Sequence, residues 1–182
     1  MKIHATKIKD VLIIEPKVFG DERGFFLESW NQQSLKDQAN INEIFVQDNH
    51  SKSSKGVLRG LHYQLEKPQG KLVRVVAGRV LDVVVDIRKS SPTFGQHFSI
   101  ELNDKNQLQL WVPPGMAHGF LVLSETADFI YKATEYYAPQ FERTILWSDD
   151  DLSIDWQLDN LKPELSVKDA DGVSFKSAEY YD

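Results

Sequence analysis

Short runs of Val, Ile, Phe, Tyr and Leu, each closed by turn residues, dominate the middle of the chain. These runs are DVLIIEPKVF, GFFLESW, EIFVQDNHS, GVLRGLHYQL, KLVRVVAG, RVLDVVVDIR, HFSIEL, QLQLWVPP, HGFLVLS and DFIYKATEYY. Turn segments such as FGDERG, NDKNQ and PPGMAHG separate them. β-Branched and aromatic runs with turns this frequent are typical of antiparallel sandwiches and barrels.

Two further patterns refine this interpretation. The hairpin LVRVVAGRVLDVVVDI is apolar at nearly every position over part of its length, which predicts strands covered on both faces by two packed sheets. Only NQQSLKDQAN and the C-terminal end have helical character. We therefore predict an all-β, antiparallel jelly-roll barrel with a few short helices, mainly near the C-terminus.

Composition limits the partners. The 182 residues suit a single domain spanning 1–182, and the net charge of -6 argues against a nucleic-acid partner. There is no cysteine, so disulfides, thiol nucleophiles and thiolate metal sites are excluded. No segment resembles a signal peptide or a membrane span, so we expect a cytoplasmic protein without a membrane partner.

The segment RGLHYQ, residues 59–64, places a cation and a titratable ring in one strand. Strict alternation puts Arg59 and His62 on opposite faces, and a solvated strand face explains either residue alone. A bulge or kink at Gly60 would turn both side chains toward the barrel interior.

Two segments resemble the motifs of the cupin family. PPGMAH, residues 113–118, matches the second cupin motif at every fixed position and contributes His118. GLHYQ, residues 60–64, keeps His62 of the first motif but has Gln64 in place of the second metal ligand, and Gln69 is the nearest candidate for the ligating Glu. Two histidines are too few for a catalytic zinc or iron site. The resemblance therefore implies a cupin-type barrel without a metal.

A larger set of segments resembles the dTDP-4-dehydrorhamnose 3,5-epimerase family over residues 5–175. They are FGDERGFFLESW, QDNHSKSSKGVLRGLHYQ, GKLVRVVAGRVLDVVVDIRKSSPTFG, WVPPGMAHGFLVLSE, YKATEYYAP and LSVKDADG. One departure is Asp150 in WSDDDLSIDW, where the family commonly has proline. We expect a looser turn there and no change in chemistry.

The resemblance implies epimerisation at C3 and C5 of dTDP-4-dehydro-6-deoxy-D-glucose. The C4 ketone of such a sugar acidifies the hydrogens at C3 and C5. Each inversion needs a base on one face, an acid on the other and a group that stabilises the enolate. Because no hydride leaves, no nicotinamide is needed, and we expect no cofactor.

Four residues are candidates for the chemistry. His62 is the natural base, since its ordinary pKa lies near neutrality. The family resemblance implies that Asp169 supports His62 and that Lys71 offers its charge to the enolate oxygen. Tyr131 is the candidate acid, because a phenol stays protonated at neutral pH. Taken alone, a lysine such as Lys71 more often lies at a solvated strand edge, and a tyrosine such as Tyr131 more often packs in the core.

The remaining candidates bind substrate. Arg23 and Arg59 suit the diphosphate, because a guanidinium offers paired donors. The resemblance implies that Tyr137 stacks on the thymine. It also implies that further polar residues line the nucleotide-sugar site, namely Glu28, Gln47, Asp48, Asn49, His118, Glu142 and Lys168. In the family the N-terminal strands pair with a second subunit, so we expect a homodimer that completes part of the site.

Other functions stay open on the sequence. A related enzyme that acts at one carbon only, or on another nucleotide sugar, would share the base and the acid. A non-catalytic sugar-binding jelly roll needs neither. A metal-dependent cupin oxygenase is disfavoured by Gln64 and Gln69.

Overall fold

A computed structural model of the protein describes residues 1–182 and consists mainly of β-strands. The strands are β1 Lys2–Ala5, β2 Leu12–Glu15, β3 Val18–Asp21, β4 Gly24–Leu27, β5 Gln47–Ser54, β6 Leu58–Gln64, β7 Lys71–Ala77, β8 Arg79–Asp86, β9 His97–Asn103, β10 Gln109–Val112, β11 Met116–Val122, β12 Thr126–Ala133 and β13 Glu142–Thr144. The helices are α1 Gln32–Ala39 and α2 Val167–Ala170, with 3₁₀ turns at Pro139–Phe141 and Phe175–Ser177.

Two antiparallel sheets form the body of the molecule. A six-stranded sheet has the order β1-β2-β10-β7-β12-β5, and a five-stranded sheet has the order β13-β6-β11-β8-β9. The principal core cluster draws Val73, Phe129, Val84 and Phe120 from the two sheets, so the sheets pack face to face. This arrangement confirms the predicted antiparallel jelly-roll class.

A second apolar cluster covers the outer face of the five-stranded sheet. It contains Leu61 and Leu81, and partly buried residues of the C-terminal segment such as Phe175 and Tyr181 pack against it. Every residue of β8 after Arg79 is buried, which confirms that this strand is covered on both faces.

Local sequence explains where elements begin and end. Pro16 follows β2 and lacks the N–H that a strand ladder needs, so the run DVLIIEPKVF forms two strands instead of one. Helix α1 begins where the side chain of Asn31 accepts from the N–H of Ser34, and ends at Asn40 with φ of 54°. The C-terminal region holds only the four-residue α2 and one 3₁₀ turn.

The hairpin of β3 and β4 is separate from both main sheets. Its aromatic residues are exposed: Phe19 by 53%, Phe25 by 62% and Phe26 by 69%. A two-stranded ribbon is marginally stable on its own. No helix of the protein has the length and apolar character needed to cross a membrane.

Candidate active site

A bulge in β6 brings Arg59 and His62 to one cavity. His118 pairs with His62 and Phe120 pairs with Arg59, so Gly60 and Leu61 together oppose the single residue between the two β11 partners. Gly60 has φ of 119°, and a Cβ there would lie 2.6 Å from the Cα of Gly119. Glycine is therefore required, and the bulge expected from the sequence is present.

The cavity lies between the two sheets, with a volume of about 300 Å³ and an adjoining chamber of about 70 Å³. Its size falls at the lower end of the range for small-molecule sites. It brings together ten of the predicted site residues, from strands of both sheets and from the segments that follow them: Gln47, Asn49, Arg59, His62, Lys71, His118, Tyr131, Tyr137, Glu142 and Lys168.

Asp169 lies behind His62 and is buried. Its Oδ1 accepts from Nε2 of His62 at 2.6 Å and from the N–H of Gly60 at 3.0 Å. Its Oδ2 accepts from the Ser166 hydroxyl at 2.6 Å, and that hydroxyl accepts in turn from the N–H of Asp169. Ser166 thus caps α2 and fixes the carboxylate at the same time.

These contacts set the protonation of the pair. Burial raises the pKa of Asp169, but the hydrogen bonds from His62, Ser166 and Gly60 outweigh it and hold the pKa well below its ordinary value. Burial is the largest effect on His62 and lowers its pKa, with the Asp169 bond acting in the opposite direction. His62 is therefore neutral at neutral pH. Because Nε2 donates to the carboxylate, Nδ1 carries the free lone pair.

The six-stranded sheet forms the opposite wall. Tyr131 in β12 and Lys71 in β7 both line the cavity, and the Lys71 ammonium lies 5.8 Å from the centre of the Tyr131 ring. Burial raises the pKa of Tyr131, so its hydroxyl stays protonated. Burial lowers the pKa of Lys71 to about 8, against the opposing charges of Glu142 and Asp82. The wall facing His62 thus offers a neutral acid and a cation.

His118 forms a second histidine–carboxylate pair. Its Nε2 lies 3.0 Å from both carboxylate oxygens of Asp82, which is fully buried. Asp82 is not among the site residues predicted from the sequence. A signal existed, because Asp82 is a carboxylate inside the apolar run RVLDVVVDIR and needs a polar partner once buried.

Polar side chains also join at the mouth of the cavity. The Tyr137 hydroxyl donates to Oε2 of Glu142 at 2.9 Å, and Nζ of Lys168 donates to Oε1 at 2.9 Å. Burial raises the pKa of Glu142, but these two bonds hold it below its ordinary value. Nearby, Nε and Nη2 of Arg59 donate to the Ser53 hydroxyl at 3.2 and 3.1 Å.

Amides occupy the two positions where metal-binding cupins have further ligands. Nε2 of Gln64 donates to the carbonyl of Lys67 at 2.8 Å, and Nε2 of Gln69 donates to the carbonyl of Glu135 at 2.8 Å. Both amides bind backbone. The side chains of Gln64 and Gln69 therefore hold the backbone in place, and together with His62 they do not resemble the ligands of a metal centre.

Comparison with known proteins places this geometry in a family. The profile of dTDP-4-dehydrorhamnose 3,5-epimerase matches residues 5–177. The chain belongs to this family. A relative of that name from Shigella flexneri is 57% identical over 182 residues, which cover 100% of this chain and 99% of the relative.

Solved structures of epimerases share the fold. The dTDP-6-deoxy-D-glucose-3,5-epimerase of Legionella pneumophila Philadelphia 1, in complex with dTDP-4-keto-L-rhamnose, is 51% identical with a TM-score of 0.95, covering 98% of this chain and 94% of that one. A 3'-monoepimerase from Streptomyces bikiniensis, in complex with dTDP-quinovose, is 31% identical with a TM-score of 0.90, covering 96% and 88%. The scaffold thus serves both double and single epimerisation, and the identity is higher to the 3,5-epimerase.

Besides Asp169, which lies behind His62, three predicted site residues do not line the cavity of this epimerase. Asp48 is on the opposite face of β5 from Gln47 and Asn49, where it accepts from Nζ of Lys132 at 3.1 Å. Consecutive residues of a strand point to opposite faces, so Asp48 does not line the cavity within one chain. Its contact with substrate stays a prediction.

The other two lie in the β3–β4 hairpin and just after it. Arg23, at the turn of the β3–β4 hairpin, is exposed and pairs with Asp21. Glu28 follows β4 and accepts from the side chain of Asn31 at 3.1 Å. Neither residue lines the cavity within one chain.

The turn that departs from the family pattern is well bonded. Asp150 is exposed, while the buried Asp149 beside it accepts from the N–H groups of Asp151 and Leu152 at 3.0 and 3.3 Å. Asp149 therefore closes the turn through its side chain. Asp150 does not line the cavity. The expectation that it leaves the chemistry unchanged stays a prediction.

Proposed function

We propose that this epimerase inverts C3 and C5 of dTDP-4-dehydro-6-deoxy-D-glucose with His62 as base and Tyr131 as acid, giving dTDP-4-dehydro-L-rhamnose. The observation that carries these assignments is the position of the two residues in opposite sheets around one cavity. A sugar ring between the walls would present one face to each. Inversion requires removal of a proton from one face and its replacement on the other.

Each inversion begins at the carbon next to the C4 ketone. Nδ1 of His62 accepts the proton, and the C–H electron pair moves through the new C=C bond onto the C4 oxygen. The imidazolium that forms is stabilised by the ionised Asp169, 2.6 Å from its other nitrogen. The Lys71 ammonium, 5.8 Å from the centre of the Tyr131 ring, stabilises the enolate oxygen.

Reprotonation completes the step. The enolate collapses to the ketone as its carbon takes the phenolic proton of Tyr131. The tyrosinate is then reprotonated from solvent, and His62 returns its proton to solvent. Repeating the sequence at the second carbon gives the doubly inverted sugar. Protons balance at each carbon and no electrons are exchanged, so these residues need no cofactor.

The remaining cavity residues are assigned to binding. Arg59 has guanidinium nitrogens beyond its Ser53 contact that suit a diphosphate. Tyr137, half-exposed at the mouth, suits the thymine face. Gln47, Asn49, His118, Glu142 and Lys168 supply polar contacts around the sugar and nucleotide.

The proposal includes a homodimer, cytoplasmic location and a single domain over residues 1–182. The β3–β4 hairpin supports the dimer, because it exposes three phenylalanines and joins neither main sheet. Arg23 lies at the tip of that hairpin, and Glu28 lies just after it. In a dimer built through this hairpin, both residues reach the substrate bound by the partner.

Solvent deuterium uptake tests the proposed reaction. The enzyme and its His62→Asn variant are incubated with the keto sugar in heavy water, and label is resolved at C3 and C5 by NMR. We expect exchange at both carbons with the enzyme and at neither with the variant. Exchange at one carbon would indicate a single-carbon epimerase. The absence of exchange in the native enzyme would indicate a sugar-binding protein.

A further inference from the structure

The side chain of Gln64 binds the backbone on both sides of Tyr137. Its Nε2 donates to the carbonyl of Tyr136 at 3.3 Å, and its Oε1 accepts from the N–H of Ala138 at 2.8 Å. The same Nε2 donates to the carbonyl of Lys67 at 2.8 Å, and the residue is only 3% exposed. One amide thus makes the pair of hydrogen bonds that an adjacent strand would make around Tyr137.

No strand performs this task for the Tyr137 segment. Strand β12 ends at Ala133, and the next element is the 3₁₀ turn at Pro139–Phe141. The backbone N–H and C=O groups around Tyr137 have no strand partner and are paired by side chains. Two further glutamines provide them: Oε1 of Gln47 accepts from the N–H of Tyr137 at 2.9 Å, and Gln69 donates to the preceding carbonyl of Glu135.

The Tyr137 side chain itself has little support. It is 51% exposed, and its one hydrogen bond runs from the hydroxyl to Glu142. The direction of its ring at the mouth therefore depends on how firmly its backbone is held. Gln64 is the residue whose side chain forms hydrogen bonds with the backbone on both sides of Tyr137.

We propose that Gln64 is a positioning residue that fixes Tyr137 for contact with the nucleotide base. The ligand in this statement rests on the proposed function; the positioning itself does not. A neutral side chain with a hydrogen-bond donor is required, because a carboxylate would direct negative charge at the carbonyls of Lys67 and Tyr136. Gln64 occupies the position of a metal ligand in the first cupin motif, and in this chain it orders the backbone around Tyr137.

The test compares Gln64→Met with Gln32→Met. Methionine keeps the length of the side chain and removes its hydrogen bonds. Gln32 serves as the control, because its Nε2 also donates to a backbone carbonyl, that of Glu43 at 3.0 Å, but the residue lies in helix α1 and does not line the cavity. Backbone hydrogen exchange and dTDP affinity are measured for both variants, with thermal melting to verify folding.

We expect Gln64→Met to accelerate exchange at Tyr137 and Ala138 and to weaken dTDP binding about tenfold, a modest loss for a stacked base. Pyrophosphate binding should not change, because it has no base. Gln32→Met should change the affinity for neither dTDP nor pyrophosphate. Unchanged exchange at Tyr137 and Ala138 in Gln64→Met would overturn the proposal.

A double-mutant cycle with Tyr137→Ala separates this inference from the proposed function. If Gln64 acts through Tyr137, the double variant binds dTDP no more weakly than Tyr137→Ala alone. Additive losses, or a loss in Tyr137→Ala with none in Gln64→Met, would overturn the positioning role. If Tyr137→Ala binds dTDP normally while exchange in Gln64→Met is accelerated, positioning stands and the base-stacking role of Tyr137 fails.

Gln64→Glu is a variant whose binding defect should be reversed by protonation of the new carboxylate. An ionised Glu side chain can still accept from the N–H of Ala138, but it cannot donate to the carbonyls of Lys67 and Tyr136. Protonation restores one O–H donor, so dTDP affinity relative to the native enzyme should recover as pH falls. An affinity ratio that does not change with pH would contradict the amide-donor explanation.

Discussion

Asp169 accepts a 2.6 Å hydrogen bond from His62, although 107 positions of sequence separate the two residues. Helix α2 makes this contact possible, because its Ser166 cap and the Gly60 N–H both hold the same carboxylate. The base of the proposed reaction is therefore oriented by a rigid group whose charge is shared among three donors.

Asp169→Asn should separate the charge of this group from its geometry. Asn can still accept from His62 through Oδ1 and can donate to the Ser166 hydroxyl, so the tautomer of His62 is kept. The negative charge is lost, and the Ser166 hydroxyl becomes an acceptor only, since it no longer has Oδ2 as its own acceptor. We expect turnover to fall about 10²-fold, within the range for acid–base groups, and the acid limb of the pH profile to move to lower pH. Steady-state kinetics from pH 5 to 8 measure both effects.

The matched comparison is Asp82→Asn, which removes the charge from the His118 pair. His118 is assigned to binding, so that variant should raise KM and leave the acid limb in place. An unchanged acid limb in Asp169→Asn would show that Asp169 does not act through His62.

Contacts along one strand could be predicted from the sequence, whereas the contact between Asp169 and His62 could not. Alternation along β12 puts Phe129 and Tyr131 on one face of the strand, and both line the cavity. No local rule could join Asp169 to His62; family resemblance alone did so, since contacts between distant segments depend on the whole fold.

Two other features were accessible in principle. The alternation rule, applied to Gln47, Asp48 and Asn49, would have placed Asp48 on the opposite face. Asp82 in an apolar strand also required a buried partner. The placement of Arg23 stays a prediction, because residues of one chain cannot reveal a site shared between two.

Lys71 should set the basic limb of the pH profile. Burial lowers its pKa to about 8, so the ammonium that stabilises the enolate is lost as pH rises through that value. The pKa of His62 is lowered, so the base stays unprotonated down to below its ordinary range. We expect kcat to be highest between these limits and to fall above about pH 8.

Lys71→Arg tests this assignment, because a guanidinium keeps its charge throughout this range. Turnover should fall, since the longer planar group does not fit the enolate oxygen equally well, but the basic limb near pH 8 should disappear. A basic limb that persists in Lys71→Arg would assign it to another group.

Chelation should leave the activity intact. Gln64 and Gln69 donate to backbone carbonyls, and Nε2 of His62 and of His118 is held by a carboxylate. Prolonged dialysis against EDTA followed by turnover assays checks this expectation. Loss of activity that a stoichiometric divalent ion restores would contradict the proposed mechanism.

Subunit mixing should reveal a shared site. Arg23→Ala and His62→Asn are each expected to impair turnover at low substrate concentration. In a mixed dimer, one site combines an intact His62 with an intact Arg23 from the partner. Random reassociation should therefore restore about a quarter of the native activity, since half of the dimers are mixed and each has one good site. Mixtures no more active than their parents would confine Arg23 to its own chain.

Tyr131→Phe should uncouple proton exchange from inversion. The ring and its packing near Phe129 are kept, and only the hydroxyl is removed. His62 and Asp169 remain, so the base still removes a proton and can return one from solvent to the same face. We expect deuterium to enter the substrate with its configuration retained, while formation of the epimer falls by about 10²–10⁴-fold.

This pattern distinguishes an acid from a core aromatic. If Tyr131 only packs, Tyr131→Phe folds normally and forms epimer at the native rate, because the loss of one hydroxyl changes neither wall of the cavity. If Tyr131 delivers the proton, the variant has the native melting temperature, exchanges label at one carbon or more and accumulates little epimer. Parallel NMR of label and configuration in one sample decides between them. His62 and Tyr131 lie in different sheets, so a selective loss of inversion with proton exchange retained would assign opposite-face proton delivery to Tyr131.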